Sequence, residues 1–202
     1  VRKFIYETLF IVLIATALFI GLRLTIQTCV ADGPSMENTF QNGERILVNK
    51  LTYKFNAPQR GDVVIFHPQF SSTAPFIKRI ISLPDERVEI LNGTVKIIKP
   101  GSSVVTLTEP YIKETPDYNY SSAVIHPNEY FVLGDNRNDS EDSHYGWLVS
   151  RNEIIGKAWL CIWLPKSWGL ADNYHQTTAV PGAAVIIEKF TMSMTKRYPI
   201  IK

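Results

Sequence analysis

Cysteine is almost missing from this chain of 202 residues, which carries only Cys29 and Cys161. Two are too few for a disulfide framework and have no metal-type spacing, so a buried structural role is expected for both. A strong charge of either sign is also missing. The formal net charge of +2 supplies no basic field for nucleic acid, and no nucleic-acid partner is expected. There is no internal repeat and no low-complexity tract. Beyond residue 22 no stretch carries a long helical stripe, which excludes a helical bundle. Neither a metal nor a cofactor is implied by any motif.

What the chain does have begins with one long apolar run. Across residues 4–22 the only charged residue is Glu7, and at about 1.5 Å per helical residue the run reaches about 29 Å, close to the thickness of a bilayer core. Two readings compete. The part from Leu9 to Leu22 has the length of a secretory h-region, and "CVA" at Cys29 to Ala31 imitates a cleavage site. Against removal, Arg23 lies between the run and that site, Asp32 would begin the mature chain, and Thr25 to Val30 continue without a turn signal. A retained single-pass anchor is therefore expected. Arg2 and Lys3 precede the span and Arg23 follows it, so residues 1–3 are expected in the cytoplasm. The rest of the chain would then stand outside the plasma membrane, with lipid as a partner. Glu7 and Arg23 lie near the ends of the span and can snorkel to water.

After the anchor the pattern is that of antiparallel β structure. "RILVNK", "DVVIFH", "FIKRIISL" and "RVEIL" are short β-branched and aromatic runs separated by turn residues. "ILNGTVKII" is a hairpin signal, because Asn92-Gly93 supplies the positive φ angles of a type I′ turn. "YFVLGD" and "IIGKAWLCIWL" add later strands. The fold class expected is mainly β, with one N-terminal transmembrane helix. Residues 24–98 and 130–165 would form the main β domain. Residues 99–129, rich in Pro, Gly, Ser and Asn, are too irregular for the central sheet and too long for a connection, and read as an inserted lobe. Its Tyr111, Tyr118 and Tyr120 are expected to pack rather than to line a surface. Residues 166–202 carry no assigned role, and their run "AAVII" is too short to span.

Three features point to chemistry. Ser35, in "VADGPSMENTF" from Val30 to Phe40, follows the span closely. A serine hydroxyl needs a base within hydrogen-bond reach to become a nucleophile. Of the four histidines, His67 and His126 precede prolines, His175 lies in a polar tail and His144 in a turn-rich loop, so a His-based triad has weak support. Lys78 stands inside the apolar strand "PFIKRII", where alternation puts Phe76, Lys78 and Ile80 on one face and Ile77, Arg79 and Ile81 on the other. One of the two cations is expected to face inward. Lys78 is then either an edge lysine that guards against aggregation or a buried amine whose desolvation makes it a general base. The loop "GDNRNDSEDSHYG", Gly134 to Gly146, concentrates Asp, Asn, Arg and Ser.

Taken in order, "GPSMENTF", "RGDVVIF", "FIKRIISLP" and "GDNRNDSEDS" after an apolar anchor resemble the motifs of bacterial type I signal peptidases, the Ser-Lys endopeptidases of the S26 family. The resemblance covers about residues 4–165. It implies that Ser35 is the nucleophile and Lys78 the general base. Ser140 would hold the lysine amine by a hydrogen bond, and Asp142 would support the site through charged partners such as Arg79. Asp135 and Arg137 match the family loop and would shape it. The Ser35 backbone N–H would serve the oxyanion. Substrates would be secretory precursors with small residues of the Ala-X-Ala type before the cut. Such a substrate could add as a strand between the serine segment and the lysine strand, with Met36, Phe40, Phe76 and Ile77 lining its pockets.

The sequence departs from the family pattern at several points. Gly33 supplies no side-chain oxyanion donor, Ser82 and Asp85-Glu86 replace a glycine and a Gly-Asp pair, and His144 stands where Arg is common, which weakens a salt bridge to Asp142. Two rivals complete the comparison. A self-cleaving Ser-Lys repressor would carry a DNA-binding helix-turn-helix in place of the span, and a catalytically degenerate membrane-tethered β protein would need neither Ser35 nor Lys78.

Overall fold

Apolar character concentrates in α1, Arg2–Thr25, which is long and apolar enough to cross a membrane and buries none of its residues. The computed structural model describes residues 2–70, 74–162 and 169–174. From Thr25 the chain passes without a linker into β1 (Ile26–Val30), which pairs antiparallel with β2 (Arg45–Asn49). A four-residue helix, α2 (Thr52–Phe55), leads to β3 (Val63–Phe66) and β4 (Phe76–Ser82). The hairpin β5 (Arg87–Leu91) and β6 (Thr94–Ile98) follows, then β7 (Val104–Thr106) and β8 (Tyr120–Ser121). β9 (Glu129–Leu133), β10 (Val149–Ser150), β11 (Ile154–Cys161) and β12 (Gly169–Leu170) complete the described strands.

Two antiparallel sheets result. The larger has the order β1-β2-β11-β3-β4-β9-β10, with β12 paired to β11, and the smaller the order β7-β6-β5-β8. The hairpin signal is realised: Asn92 and Gly93 have φ of 49° and 74°, and Leu91 pairs with Thr94. That hairpin belongs to the smaller sheet, which therefore draws on residues from Arg87 onward as well as on the irregular segment after residue 98. The run "AAVII" lies outside the described residues.

β4 is the strand on which the molecule turns. It lies between β3 and β9, which removes the edge-strand reading of Lys78. Ile77 enters a cluster with Met36, Phe40, Ile46 and Val48. Ile81 joins Val88, Ile90, Phe131 and Leu133 beneath the smaller sheet, and Ile80 joins Tyr53, Val64, Phe66 and Val132. Both faces of β4 are covered, so the expectation of one inward cation needs correction: Lys78 and Arg79 are both buried. Cys29 and Cys161 are not joined in a disulfide and pack into the first cluster.

Gly156 marks a close approach of strands. A Cβ built on it would lie 2.5 Å from the Asn49 carbonyl oxygen and 2.9 Å from a Val48 methyl, where β11 shifts register against its neighbours. Backbone cannot yield as a side-chain tip can. Gly156→Ala is expected to destabilise the domain by about 1–3 kcal/mol, the usual range for overpacking, read as a lowered midpoint of thermal unfolding.

Candidate active site

The segment around Ser35 is a tight turn pinned from below. Gly33 adopts φ +85°, a left-handed angle that favours glycine, and its N–H donates to Asn42 Oδ1 at 3.1 Å. Glu37 N–H donates to the Pro34 carbonyl and Phe40 N–H to the Met36 carbonyl. Met36 and Phe40 point into the core and hold the turn down. Ser35, immediately before Met36, is half-buried and reachable. Its carbonyl accepts the Asn136 N–H at 3.1 Å, which ties the turn to the loop after β9.

Lys78 comes to Ser35 from β4. Its Nζ lies 2.8 Å from Ser35 Oγ, and the lysine is only 4% exposed. Burial pushes its ammonium down from 10.5 to about 8, opposed by the negative charges of Asp142, Glu141 and Asp135. None of these carboxylates is in salt-bridge contact with it.

Arg79, one residue on, faces the other way and is fully buried. The resemblance paired it with Asp142; its partner is Asp135, through Nε to Oδ1 at 2.8 Å and Nη2 to Oδ2 at 2.6 Å. Alternation along β4 accounts for the correction, since a side chain opposite to Lys78 points away from the part of the loop that faces the amine. Thr39 donates its hydroxyl to Asp135, and Arg79 also donates to the carbonyls of Gly61 and Asp172. The Tyr111 ring lies 4.0 Å from the guanidinium carbon. Packing was expected of that tyrosine, and its partner is a cation.

Asp142 has its own work. Oδ2 accepts the Gly134 N–H at 2.9 Å, and Oδ1 lies 2.7 Å from His144 Nδ1 and accepts the His144 N–H. Histidine therefore occupies the place of the family arginine and still makes the contact. Arg137 forms a bidentate pair with Glu109 of the irregular segment and donates to the Gly134 carbonyl.

Ser140 does not make the expected hydrogen bond to Lys78. Its hydroxyl is buried and has no partner among the described residues. It packs against Gly134, where a Cβ would overlap both the Ser140 hydroxyl and the Ser35 carbonyl oxygen. Only a glycine lets the end of β9 pass so close behind the Ser35 turn.

A cleft of about 310 Å³ opens over the pair. Met36, Phe76 and Ile77 line it, with Ala31, Gly33 and Pro34 on the facing segment. Phe40 is corrected here: it is 2% exposed and lies beneath the cleft, supporting Met36. Among the described residues no group of three or more His, Cys, Asp or Glu side chains could hold a metal.

The turn after β4 accommodates its departures from the family pattern. Asp85 takes φ 67°, a glycine-like angle. Glu86 accepts from the Ser82 hydroxyl and the Leu83 N–H, and both its oxygens accept from Arg60 Nη2, while Arg60 Nη1 donates to the Ile81 carbonyl. Sequence reasoning missed Thr39, Asn136 and Glu109 as partners, because each acts across a fold distance that no local pattern encodes.

The model of the family described as signal peptidase, peptidase S26 matches residues 2–163. A probable signal peptidase I-1 of Synechocystis is 34% identical over 192 residues, covering 91% of this chain and 94% of that protein. A signal peptidase I of Leptolyngbya laminosa is 39% identical, covering 72% and 75%. Signal peptidase IB of Staphylococcus aureus is 31% identical, covering 76% and 84%. With a family match over most of its length and relatives of this identity and coverage, the chain belongs to the peptidase S26 family of signal peptidases.

Proposed function

We propose that this chain is a membrane-anchored serine endopeptidase that removes signal peptides from secretory precursors, cutting after small residues with Ser35 as nucleophile and Lys78 as general base. The observation that carries the reading is the 2.8 Å approach of a buried lysine amine to an accessible serine hydroxyl at the floor of a cleft. In the reactive state the amine is neutral, and the same separation serves Ser35 O–H donating to Nζ. As Ser35 Oγ attacks the scissile carbonyl, Lys78 takes the proton and returns it to the leaving amine. Water then enters, Lys78 removes its proton, and the acyl-enzyme is hydrolysed. The Ser35 N–H, which makes no hydrogen bond among the described residues, is assigned to the oxyanion. The backbones of residues 31–34 and 75–77 flank an extended substrate, and Met36, Phe76 and Ile77 bound shallow pockets suited to small side chains.

Ser140 and Asp142 are assigned supporting roles. A buried hydroxyl without a partner costs about 1–3 kcal/mol, and Ser140 recovers that when substrate engages Ser35 and the lysine N–H groups need an acceptor. Asp142 positions Gly134 and, with His144, fixes the loop that carries Ser140. Arg79 holds Asp135 and thereby the turn that carries Ser35.

α1 is assigned as a retained anchor, with residues 1–3 inside and the cleft outside. Retention is favoured because a cut after Ala31 would remove β1, which is hydrogen-bonded to β2 along its length. Chemistry is assigned to the larger sheet, and the inserted segment serves as a lobe that supplies Glu109 and Tyr111 to its wall.

Ser35→Ala and Lys78→Ala are each expected to abolish cleavage of an Ala-X-Ala peptide by the detergent-solubilised chain, with the double variant no worse than either single one. Turnover by either single variant would put another catalytic pair in its place, and a wild-type chain that cleaves no such peptide would leave the degenerate-protein reading.

For the intact enzyme kcat/KM should rise about tenfold per pH unit below about pH 8 and level off above it, because only the neutral amine accepts the proton. A profile flat from pH 6 to 10 would exclude Lys78 as the base.

Stability changes in the same direction, over a higher window. With the folded-state value near 8 and the ordinary value 10.5, the unfolded chain binds more protons between these limits, so wild-type stability rises with pH across that window. Lys78→Met should therefore be more stable than wild type at pH 7, on the order of 2–3 kcal/mol. The difference should fade above about pH 10.5 in denaturant titrations.

A further inference from the structure

Charge in the cleft is distributed unevenly. Along the loop after β9 burial alternates: Ser140 and Asp142 turn inward, while Asp139 and Glu141 are exposed. These two exposed carboxylates line the same cleft as Ser35 and Lys78. Asp135 is held by Arg79 and Asp142 by His144, whereas Asp139 and Glu141 have no ion-pair partner among the described residues. Lys78 is the one cation among the described residues that line the cleft, and it is neutral in the reactive state. The wall then carries negative charge with nothing to offset it. Where that charge stands follows from the fold. The Asn136 N–H donates to the Ser35 carbonyl and its side-chain amide to the Pro34 carbonyl, so the loop is joined to the Ser35 turn at the end of the flanking segment. Glu141 is close enough to Lys78 for its charge to favour the ammonium form. The small side chains before the cut are assigned to the length flanked by residues 31–34 and 75–77, and a substrate that continues past Ser35 runs on beside Asp139 and Glu141.

We propose that Asp139 and Glu141 form the wall that meets the first residues after the cut, and that they select precursors whose mature chain begins with basic or uncharged residues over those that begin with acidic ones. A Lys or Arg in that place is attracted by both carboxylates, and an Asp or Glu meets two like charges in a cleft that holds less water than the open surface. Repulsion does most of the selecting, because an exposed ion pair gains little while an unpaired charge pressed against its own sign has no compensation. Elsewhere on the surface the two carboxylates would be an ordinary solvated loop. Here they share one cavity with the reacting pair. Asp32, the third carboxylate that lines the cleft, lies on the flanking segment beside the residues before the cut, and it supplies the control. The inference rests on the assignment of Ser35 and Lys78 as the peptidase pair.

The test uses the full chain in an uncharged detergent and peptides that share one Ala-X-Ala segment and carry Lys, Ser or Glu at the first two positions after the cut. The kcat/KM for the Lys peptide is expected to exceed that for the Glu peptide about tenfold at low ionic strength, with Ser between them. The ratio should shrink in about 0.5 M salt. Asp139→Asn combined with Glu141→Gln should bring the Lys-to-Glu ratio within about twofold of unity, and Asp32→Asn should keep the wild-type ratio. Glu141→Gln should also move the acid limb of the pH profile to lower pH, because the charge it removes favours the ammonium form of Lys78. A side chain that only shapes the loop would lower the rates of all three peptides alike and leave the limb in place, which would overturn the inference. Equal rates for the Lys and Glu peptides, with the Ser peptide cleaved, would overturn it and leave the peptidase reading standing. Failure of the wild-type chain to cleave the Ser peptide would overturn both. A preference that survives the double variant, or that disappears in Asp32→Asn, would overturn the assignment to Asp139 and Glu141.

Discussion

The buried pair of Arg79 and Asp135 is the constraint on which the site depends. Both side chains are fully removed from solvent, and breaking such a pair by deleting one partner typically costs about 3–5 kcal/mol because the other charge is stranded. The pair collects the separate segments of the molecule. Asp135 receives Thr39 from the Ser35 turn, while Arg79 reaches the Gly61 carbonyl before β3 and the Asp172 carbonyl after β12. Tyr111 covers the guanidinium and passes the network to Glu109 and Arg137. Arg137 closes it at the Gly134 carbonyl, behind Ser35.

Two cations stand next to each other in β4 and meet opposite fates, and the difference lies in what each is given. Arg79 receives a bidentate carboxylate and keeps its charge. Lys78 receives a serine hydroxyl and a desolvated wall, so its charge is disfavoured. Guanidinium suits the first place because its fork matches a carboxylate and it does not deprotonate, and ammonium suits the second because it does. The carboxylates of Asp142, Glu141 and Asp135 act at a distance and restrain the shift, leaving an amine that is neutral in the mildly alkaline range. The stability lost by burying a lysine with no carboxylate partner is the counterpart of that neutral amine, a tension that the proposed role of Lys78 would explain.

Much of this was legible in the sequence, and the parts that were not share one cause. Strand alternation put Lys78 and Arg79 on opposite faces, Asn92-Gly93 marked a hairpin, and four motifs in order located the serine, the lysine and the loop. Those are local signals or a resemblance spread along the chain. What escaped was partner choice. Asp135 and Asp142 lie in one acidic loop, and which of them meets Arg79 depends on how β9 ends against β4. Ser140 could be placed near the lysine, but the close approach at Gly134 that holds its hydroxyl elsewhere is a backbone contact. Phe40 and Met36 are both apolar and four residues apart, and only the depth of the turn decides that one lines the cleft while the other props it. The smaller sheet could not be separated from the larger because "RVEIL" and "ILVNK" read alike.

The junction between helix and sheet carries the last step. No flexible residues separate Thr25 from β1, and β1 is fixed to β2 over its whole length before the turn at Gly33 delivers Ser35. About ten residues lie between the end of α1 and the nucleophile, so at no more than about 3.6 Å each the serine stands within about 36 Å of the helix end, and nearer because the turn folds back. With α1 as an anchor, that distance is set by strand pairing rather than by a tether. On the proposed function, a substrate that is itself held in the bilayer would meet Ser35 at fixed height, and its own extended segment would decide which of its peptide bonds lies over the hydroxyl. Small side chains before that bond would fit the shallow walls of the cleft, so position relative to the membrane and pocket size would act together in choosing the bond. Neither would suffice alone, since small residues recur along any chain and a fixed height by itself admits neighbouring bonds.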